Sequence, residues 1–182
     1  QILAAAMRGL EAQRQAHELN LSNVETPGFR AREVSFEDSL RRAAATGRPA
    51  AAGISTALST AATRPDGNNV QVAEEMTYKI AGHQVTIVSG LARGIDAIAH
   101  RTAIEAGGRT IAVMACGLDM VYPPEHSKLA REIIDHGVLL SEQPLGTQPR
   151  GDYFPRRNRI LSGMTLGTLV IEGDIKSGAL IT

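Results

Sequence analysis

Residues 89–96, with the sequence SGLARGID, combine two glycines, an arginine and an aspartate in a spacing that suits anion binding. Glycines let backbone amides approach a phosphate closely, and a helix that starts at this point adds partial positive charge. The arginine can direct two hydrogen bonds to a phosphate, and the aspartate could cap backbone amides, orient the arginine or bind a hydroxyl. The segment therefore predicts a phosphate site, although tight strand-to-helix packing would explain the same glycines. The candidate residues are Ser89, Gly90, Arg93, Gly94 and Asp96.

A second candidate segment is rich in arginine. Four arginines and one aspartate lie between Arg150 and Arg159, on a chain whose formal net charge is zero. An asparagine among arginines at the start of a helix suits contacts with phosphates or base edges. Arg156, Arg157, Asn158 and Arg159 are the candidates for such contacts, with a solvated charged turn as the alternative.

Groups that could perform catalysis are few. The sequence has no HExxH motif and a single cysteine, so no metal site of standard spacing is present. We expect His100 to be a hydrogen-bonded structural residue and His126 and His136 to be surface groups on one helix. Cys116 is expected to be a small, half-buried residue, because no basic group is placed by motif to activate it. The sequence thus predicts no catalytic residue, no metal and no cofactor.

Four short runs rich in valine, isoleucine and leucine must position these candidates. They are VTIVSG, TIAVMACG, VLLSE and TLVIEGD, and helical segments separate them. Short runs that are apolar throughout are typical of strands covered on both faces. Alternation of strand and helix predicts an α/β fold with a parallel sheet of about four strands, whose ligands bind beyond the carboxyl ends of the strands.

The first 80 residues have a different character. An apolar stripe predicts a helix that needs a partner helix, and the sequence TPGF from residue 26 ends it. The stripe, which Arg14 and His17 interrupt, consists of Leu3, Met7, Leu10, Leu21 and Val24. A short second helix is possible from Val34. Residues 43–69 contain few large apolar side chains, so we expect a flexible loop there. A further stripe at residues 72, 76 and 80 predicts a helix that ends near Gly82.

Composition limits the function classes. Nineteen basic and nineteen acidic residues give no support for sequence-blind attraction to nucleic acid or membranes. The six aromatic residues offer little for base stacking. No apolar run is long enough to span a bilayer, and no signal peptide is visible. We expect a cytoplasmic protein, and the absence of an initial Met at Gln1 suggests that the chain has been cut.

The sequence NLSNVETPGFRAREVSFEDSL closely resembles the signature of bacterial flagellar rod proteins, especially the proximal rod family FlgB. The resemblance covers about residues 3–80. It implies a structural subunit that packs helix against helix in the basal body of the flagellum, with residues 1–40 contacting other rod subunits. The long C-terminal helix of that family is replaced here by another sequence from about Gly82.

Residues from about 82 to 182 resemble the DNA-processing protein A family, also called DprA or Smf. Six motifs agree in order: SGLARGID, the pair Ala99-His100, CGLD followed by YPPEH, SEQPLG, FPRRNRI and SGALIT. The resemblance implies a Rossmann-like fold without enzymatic activity, which binds single-stranded DNA and loads the RecA recombinase during natural transformation. It places in the DNA-binding pocket Ser89, Gly90, Arg93, Gly94, Arg157, Asn158 and Arg159. The family's opening strand and the strands after SGALIT are absent, so the Rossmann-like sheet is expected to be incomplete.

These resemblances predict two domains, a rod-like helical arm at residues 1–80 and a DprA-like core at residues 81–182. We interpret the chain as a fusion with a seam between Glu74 and Gly82. The leading function is a single-stranded DNA-binding module for recombination, and the first alternative is a flagellar rod subunit. A nucleotide phosphoribohydrolase is a second alternative, because residues 166–168 and Glu172 weakly echo a motif of that group.

Overall fold

A computed structural model of the chain describes residues 1–47 and 52–171. The chain divides into two compact units, Gln1–Glu75 and Met76–Thr182. The boundary falls inside a helix, Val72–Gly82, which is the helix predicted from the stripe at residues 72, 76 and 80. Within the described ranges, no helix combines the length and the apolar character that crossing a membrane requires.

The first unit begins with helix α1, which runs over Ile2–Ser22 as predicted. It is followed by strand β1 (Arg32–Ser35), helix α2 (Glu37–Ala45), strand β2 (Ser55–Leu58) and the start of helix α3 (Val72–Gly82). Strands β1 and β2 form an antiparallel pair. Val34 therefore lies in a strand, and the second helix begins three residues later than predicted.

Helix α1 turns its small residues inward. Its buried positions are Ala5, Gly9, Ala16 and Asn20. The ring of Phe36 packs so closely on Gly9 that a Cβ there would lie 2.3 Å from it. The first part of the predicted apolar stripe remains exposed, with Leu3, Met7 and Leu10 at 73%, 63% and 51% exposure, while Leu21 and Val24 are half-buried. Close approach of small side chains, rather than the apolar stripe, packs this helix within its unit.

The prediction of a flexible loop over residues 43–69 is wrong for much of its described part. Residues 55–58 form β2, while Asn68 and Asn69 are fully or almost fully buried. The side-chain amide of Asn69 accepts a bond from the Ala31 amide at 2.6 Å and donates to the Ser59 carbonyl at 3.0 Å. Side-chain amides thus satisfy the backbone where large apolar residues are scarce. Residues 48–51 lie outside the described ranges.

The second unit alternates strands and helices. After α3 come β3 (Ile87–Ser89), α4 (Ile95–Glu105), β4 (Thr110–Val113), a 3₁₀ turn (Pro124–His126), α5 (Ser127–His136), β5 (Gly137–Leu140) and α6 (Tyr153–Met164). The strands form a parallel sheet in the order β3-β4-β5. The α/β fold and the parallel sheet are confirmed. Of the fourth predicted strand, residues 168–171 are not in a strand and residues 172–174 lie outside the described ranges.

The core of the second unit lies around the central strand. Leu91, Ala112, Cys116 and Ile133 are each at most 1% exposed and belong to one apolar cluster. Cys116 is therefore fully buried rather than half-buried, and its thiol donates to the Met120 carbonyl at 3.6 Å. This core fixes the carboxyl ends of the strands, where the candidate site lies.

Candidate functional site

The candidate site is built on the turn at residues 90–94, which joins β3 to α4. Leu91 has a φ of 59° and Gly94 a φ of 81°, so two of the five residues adopt the left-handed conformation. For a branched residue such as leucine this conformation is unusual and costs about 1 kcal/mol or more. The Leu91 side chain is completely buried. The surrounding structure must therefore hold the turn in this shape.

Three side chains from three different elements hold the backbone of the turn. Asp96, in the first turn of α4, accepts bonds from the amides of Gly90 and Ala92 at 3.1 and 3.0 Å. His126, in the 3₁₀ turn, donates from Nδ1 to the Leu91 carbonyl across 2.9 Å. From α6, Arg157 donates to the Gly90 carbonyl at 2.7 Å. The turn is thus a fixed scaffold. Of the three roles considered for Asp96, these contacts correspond to bonding with backbone amides, and the amides belong to the turn.

His126 is not the surface group that we predicted. It is 6% exposed and its ring contacts the turn 35 residues earlier in the chain. The motif YPPEH places it one residue before α5, and a sequence pattern does not show that this position faces the β3–α4 turn. His136, at the end of α5, is exposed as predicted.

Arg157 lies inside the protein. It is 5% exposed, and one nitrogen of its guanidinium bonds to the carbonyls of both Gly90 and Val113. Its Nε donates to the side chain of Asn158 at 3.2 Å, and Asn158 is also buried. Burial lowers the pKa of Arg157, although a guanidinium stays charged. The predicted contact of Arg157 and Asn158 with phosphate stays a prediction, and the bonds described here tie α6 to the ends of β3 and β4.

Gly90 gives the Arg157 guanidinium its space. A Cβ at Gly90 would lie 2.3 Å from that guanidinium, closer than atoms can approach. The predicted role of Gly90 was to bring backbone amides near an anion. The structure adds that a side chain at this position would displace a buried arginine.

The exposed cations of the site are paired with glutamates. Arg93 has an exposed side chain, and its Nε donates to Glu125 at 2.5 Å. Arg159, also exposed, donates to Glu142 in the loop after β5. The Arg93–Glu125 pairing raises the pKa of Arg93 and lowers the pKa of Glu125. Both glutamates occupy positions on the arginines that a phosphate oxygen would take.

Tyr122 lies beside Arg93, and its ring contacts that of Phe154. The rings of Tyr122 and Phe154 are tilted by 60° with centroids 5.6 Å apart. The Arg93 guanidinium lies 5.9 Å from the centroid of Tyr122. Each of these aromatics directly precedes a proline in the sequence.

The remaining predicted residues occupy the same edge of the sheet. Ser89 ends β3 and is half-buried, while Gly94 precedes α4 and is exposed. The structure brings Gly90, Asp96 and Arg157 into one hydrogen-bonded cluster. Arg159 lies in the middle of α6 rather than near its start, with Glu142 as its described partner.

Two buried groups have chemistry unsuited to catalysis. His100 is completely buried, and its Nδ1 lies 2.6 Å from the Thr110 hydroxyl, as expected for a structural histidine. Burial lowers the pKa of His100 to about 4 and raises the pKa of the Cys116 thiol. Among the residues that the structure describes, no group of three or more His, Cys, Asp and Glu is placed to hold a metal. Glu172, part of the phosphoribohydrolase alternative, lies outside the described ranges.

Comparisons with known proteins point to one family. The model of the family described as DNA recombination-mediator protein A matches residues 55–182. This match begins upstream of residue 82, where we expected the resemblance to start. Protein Smf of Synechocystis is 53% identical over 97 residues, which are 53% of this chain and 24% of that protein. DNA processing protein DprA of Bacillus subtilis is 46% identical over 118 residues, or 65% of this chain and 40% of that protein.

Solved structures agree with this result. DNA processing protein A of Streptococcus pneumoniae matches with a TM-score of 0.53 and 39% identity, over 60% of this chain and 40% of that one. DNA processing protein A of Helicobacter pylori, described for its unique single-stranded DNA binding mode, matches with a TM-score of 0.55 and 30% identity. That match covers 66% of this chain and 55% of the other. The chain spans less than half the length of the two curated relatives above.

Proposed function

Since the chain belongs to the DNA recombination-mediator protein A family, we propose that its second unit binds single-stranded DNA at the turn 90–94. The observation that carries the proposal is the hydrogen-bonded turn, which presents the exposed Arg93. Support also comes from the H. pylori relative, whose single-stranded DNA binding is described and whose fold this chain shares. The proposed role is DNA processing in recombination.

The turn is suited to a phosphate because it combines the first backbone amides of α4 with the exposed Arg93. The first backbone amides of α4 have no acceptor within the helix, so they can donate to an anion beyond the end of β3. The carboxylate of Asp96 accepts hydrogen bonds from the amides of Gly90 and Ala92. In this proposal, the phosphate therefore binds to Arg93 and to the amides that follow Ala92. When a phosphate arrives, Arg93 exchanges its bond with Glu125 for a bond with the phosphate.

Arg159 provides a second contact in this proposal. It is exposed in the middle of α6 and held by Glu142. A strand that crosses the carboxyl edge of the sheet would meet Arg93 and Arg159 in turn. Each contact releases counterions from the DNA, so affinity should fall as salt rises.

Fluorescence anisotropy of a labelled oligothymidine, measured at low and moderate salt, tests the proposal. We expect salt-sensitive binding that weakens in Arg93→Ala and in Arg159→Ala. Arg101→Ala is a matched control, because Arg101 is also exposed and lies near the other end of α4. If a chain shown to be folded by circular dichroism does not bind, the proposal is wrong.

We further propose RecA recombinase as a partner, because the family is described as a recombination mediator. A cytoplasmic location is proposed on the same ground. Pull-down of purified RecA by the chain on single-stranded DNA, compared with the chain without DNA, tests the partnership. Failure to retain RecA would refute this part of the proposal and leave DNA binding intact.

A structural role for the first unit remains an alternative. The observation in its favour is the exposed stripe Leu3, Met7 and Leu10 on α1, which suits packing against another helix. The rod-protein resemblance and the fusion with a seam between Glu74 and Gly82 are proposals that rest on the sequence. Sedimentation velocity tests the helix packing, since a Met7→Lys variant should reduce any self-association of the chain. An unchanged sedimentation coefficient in that variant would count against it.

A further inference from the structure

We infer that the outer edge of strand β5 is an interaction surface for a second copy of this chain. The parallel sheet has the order β3-β4-β5, and among the residues that the structure describes no strand pairs with the outer side of β5. The strand has the sequence GVLL, which contains no charged residue and no proline. Proteins usually protect an exposed edge with such residues, because an unprotected edge pairs with another strand.

The backbone of β5 shows which groups a partner strand meets. The Leu140 carbonyl accepts a bond from the Met114 amide at 2.7 Å, so it points towards β4. Because successive residues of a strand alternate in direction, the amides and carbonyls of Gly137 and Leu139 point away from β4. In an antiparallel pair centred on Val138, Gly137 of each copy lies opposite Leu139 of the other. Such residues exchange both N–H···O bonds, so the edge is complementary to itself.

Two exposed apolar side chains lie where the two-fold axis of this pair passes. Val138 is 40% exposed, and Ile134, near the end of α5, is 57% exposed. Val138 lies one strand residue after Gly137, a rise of about 3.3 Å. Ile134 lies two helical residues before the end of α5, a rise of about 3 Å. Both residues are therefore at about the same level, and each meets its own counterpart in the second copy.

The position of helix α5 agrees with the same symmetry. The helix packs on both β4 and β5, so its axis lies over the gap between these strands. With strands about 4.8 Å apart across the joined edges, the two α5 helices come to about 10 Å, the spacing of packed helices. Lys128 and Glu132 line the groove between α5 and α4. At 3.6 residues per turn, Ile134 lies on the opposite side of α5, towards the outer edge of the sheet.

Opposite charges flank the axis. Arg131 and Asp135 are both exposed and lie one turn apart on α5. Because α5 of the second copy runs in the opposite direction, Arg131 of each copy comes within side-chain reach of Asp135 of the other. Opposite charges across an interface fix the orientation of the partners. The surface is therefore matched to a second copy in charge as well as in backbone groups.

Sedimentation velocity at several protein concentrations, without DNA, tests the inference. We expect a monomer–dimer equilibrium whose dissociation constant rises about tenfold or more in Ile134→Lys, since the two lysines face each other across the axis. Val85→Lys is the matched control, because Val85 is 50% exposed and directly precedes β3, at the opposite edge of the sheet. A wild-type chain that stays monomeric at roughly 0.1 mM would overturn the inference. Equal weakening by both variants would overturn it as well.

Charge reversal tests the antiparallel orientation. Arg131→Asp places two carboxylates together at each flank, so dimerisation should weaken. The double variant Arg131→Asp, Asp135→Arg restores opposite charges and should recover the wild-type dissociation constant. Circular dichroism checks that both variants are folded. A double variant as weak as the single one would contradict the arrangement.

Cross-linking locates the contact. Residues that face each other without mutual hydrogen bonds in an antiparallel pair have Cα atoms about 4.5 Å apart, which a disulfide can span. Oxidation with diamide should therefore convert Val138→Cys, but not Val85→Cys, into a covalent dimer. The natural Cys116 is buried. A dimer that Val138→Cys does not cross-link, or that Met7→Lys dissociates, would place the contact elsewhere and overturn the inference. None of these outcomes affects the proposed DNA site, whose residues the interface does not use.

Discussion

The guanidinium of Arg157 donates a hydrogen bond to the carbonyl of Gly90 at 2.7 Å, across 67 positions of the chain. The same nitrogen bonds to the Val113 carbonyl at the end of β4. One buried side chain from α6 thereby joins the carboxyl ends of two parallel strands. The shape of the turn at residues 90–94 depends on this connection.

Loss of this connection should destabilise the second unit. In Arg157→Gln, the carbonyls of Gly90 and Val113 lose a charged donor, and we expect the free energy of unfolding to fall by about 2–4 kcal/mol. Urea unfolding followed by far-ultraviolet circular dichroism measures this change. Arg156→Gln is the control, because the neighbouring Arg156 is exposed. A fall smaller than about 0.5 kcal/mol would show that Arg157 does not hold the turn.

Removal of the Glu125 charge should tighten DNA binding. Glu125 bonds to Arg93 at 2.5 Å and competes with phosphate for it. In Glu125→Gln, Arg93 becomes available, and we expect the dissociation constant for an oligothymidine to fall by about two- to fivefold at low salt, the range of an exposed ion pair. Glu132→Gln, which removes an exposed pair with Lys128, should have a smaller effect. Equal changes in the two variants would indicate a general charge effect instead.

His100 should make the stability of the second unit depend on pH. Its pKa in the folded protein is about 4, below the ordinary value of about 6.5, so the unfolded chain binds the extra proton first. Stability is therefore full above pH 6.5 and decreases as the pH falls towards 4, by on the order of 3 kcal/mol. Urea unfolding at several pH values should show this slope in the wild-type chain and a smaller one in His100→Asn. His136→Gln, at an exposed position, should keep the slope of the wild-type chain.

Asn69 should stabilise the region that the sequence led us to regard as a flexible loop. Asn69→Ala removes the acceptor of the Ala31 amide and the donor to the Ser59 carbonyl. We expect a cost of about 1–3 kcal/mol, seen as faster hydrogen–deuterium exchange in peptides covering residues 52–69. Thr60→Ala, at an exposed position, should leave exchange unchanged. Fast exchange of these peptides already in the wild-type chain would restore the loop prediction.

Local signals predicted the second unit well. The apolar runs at β3, β4 and β5 gave a parallel sheet, and the glycine spacing with Asp96 indicated the capped turn. His126 and Tyr122 were missed as parts of the site because their contacts join positions far apart in the chain. Composition does not show which segment of an α/β unit will face a given strand end.

The first unit shows a different limit of sequence reasoning. Residues 52–69 have the composition of a disordered segment, and the prediction counted only apolar side chains. Asn68 and Asn69 order this segment through bonds to backbone groups of residues more than 30 positions away. Such polar contacts leave no periodic pattern in the sequence.

The left-handed Leu91 has a consequence for how a ligand and folding are coupled. The residues that hold its backbone come from α4, the 3₁₀ turn and α6, so the binding shape of the turn exists only in the folded unit. A strand that binds this shape and not the unfolded chain must raise the melting temperature of the unit by mass action. The extent of that rise reports the affinity of the turn without a label on either molecule.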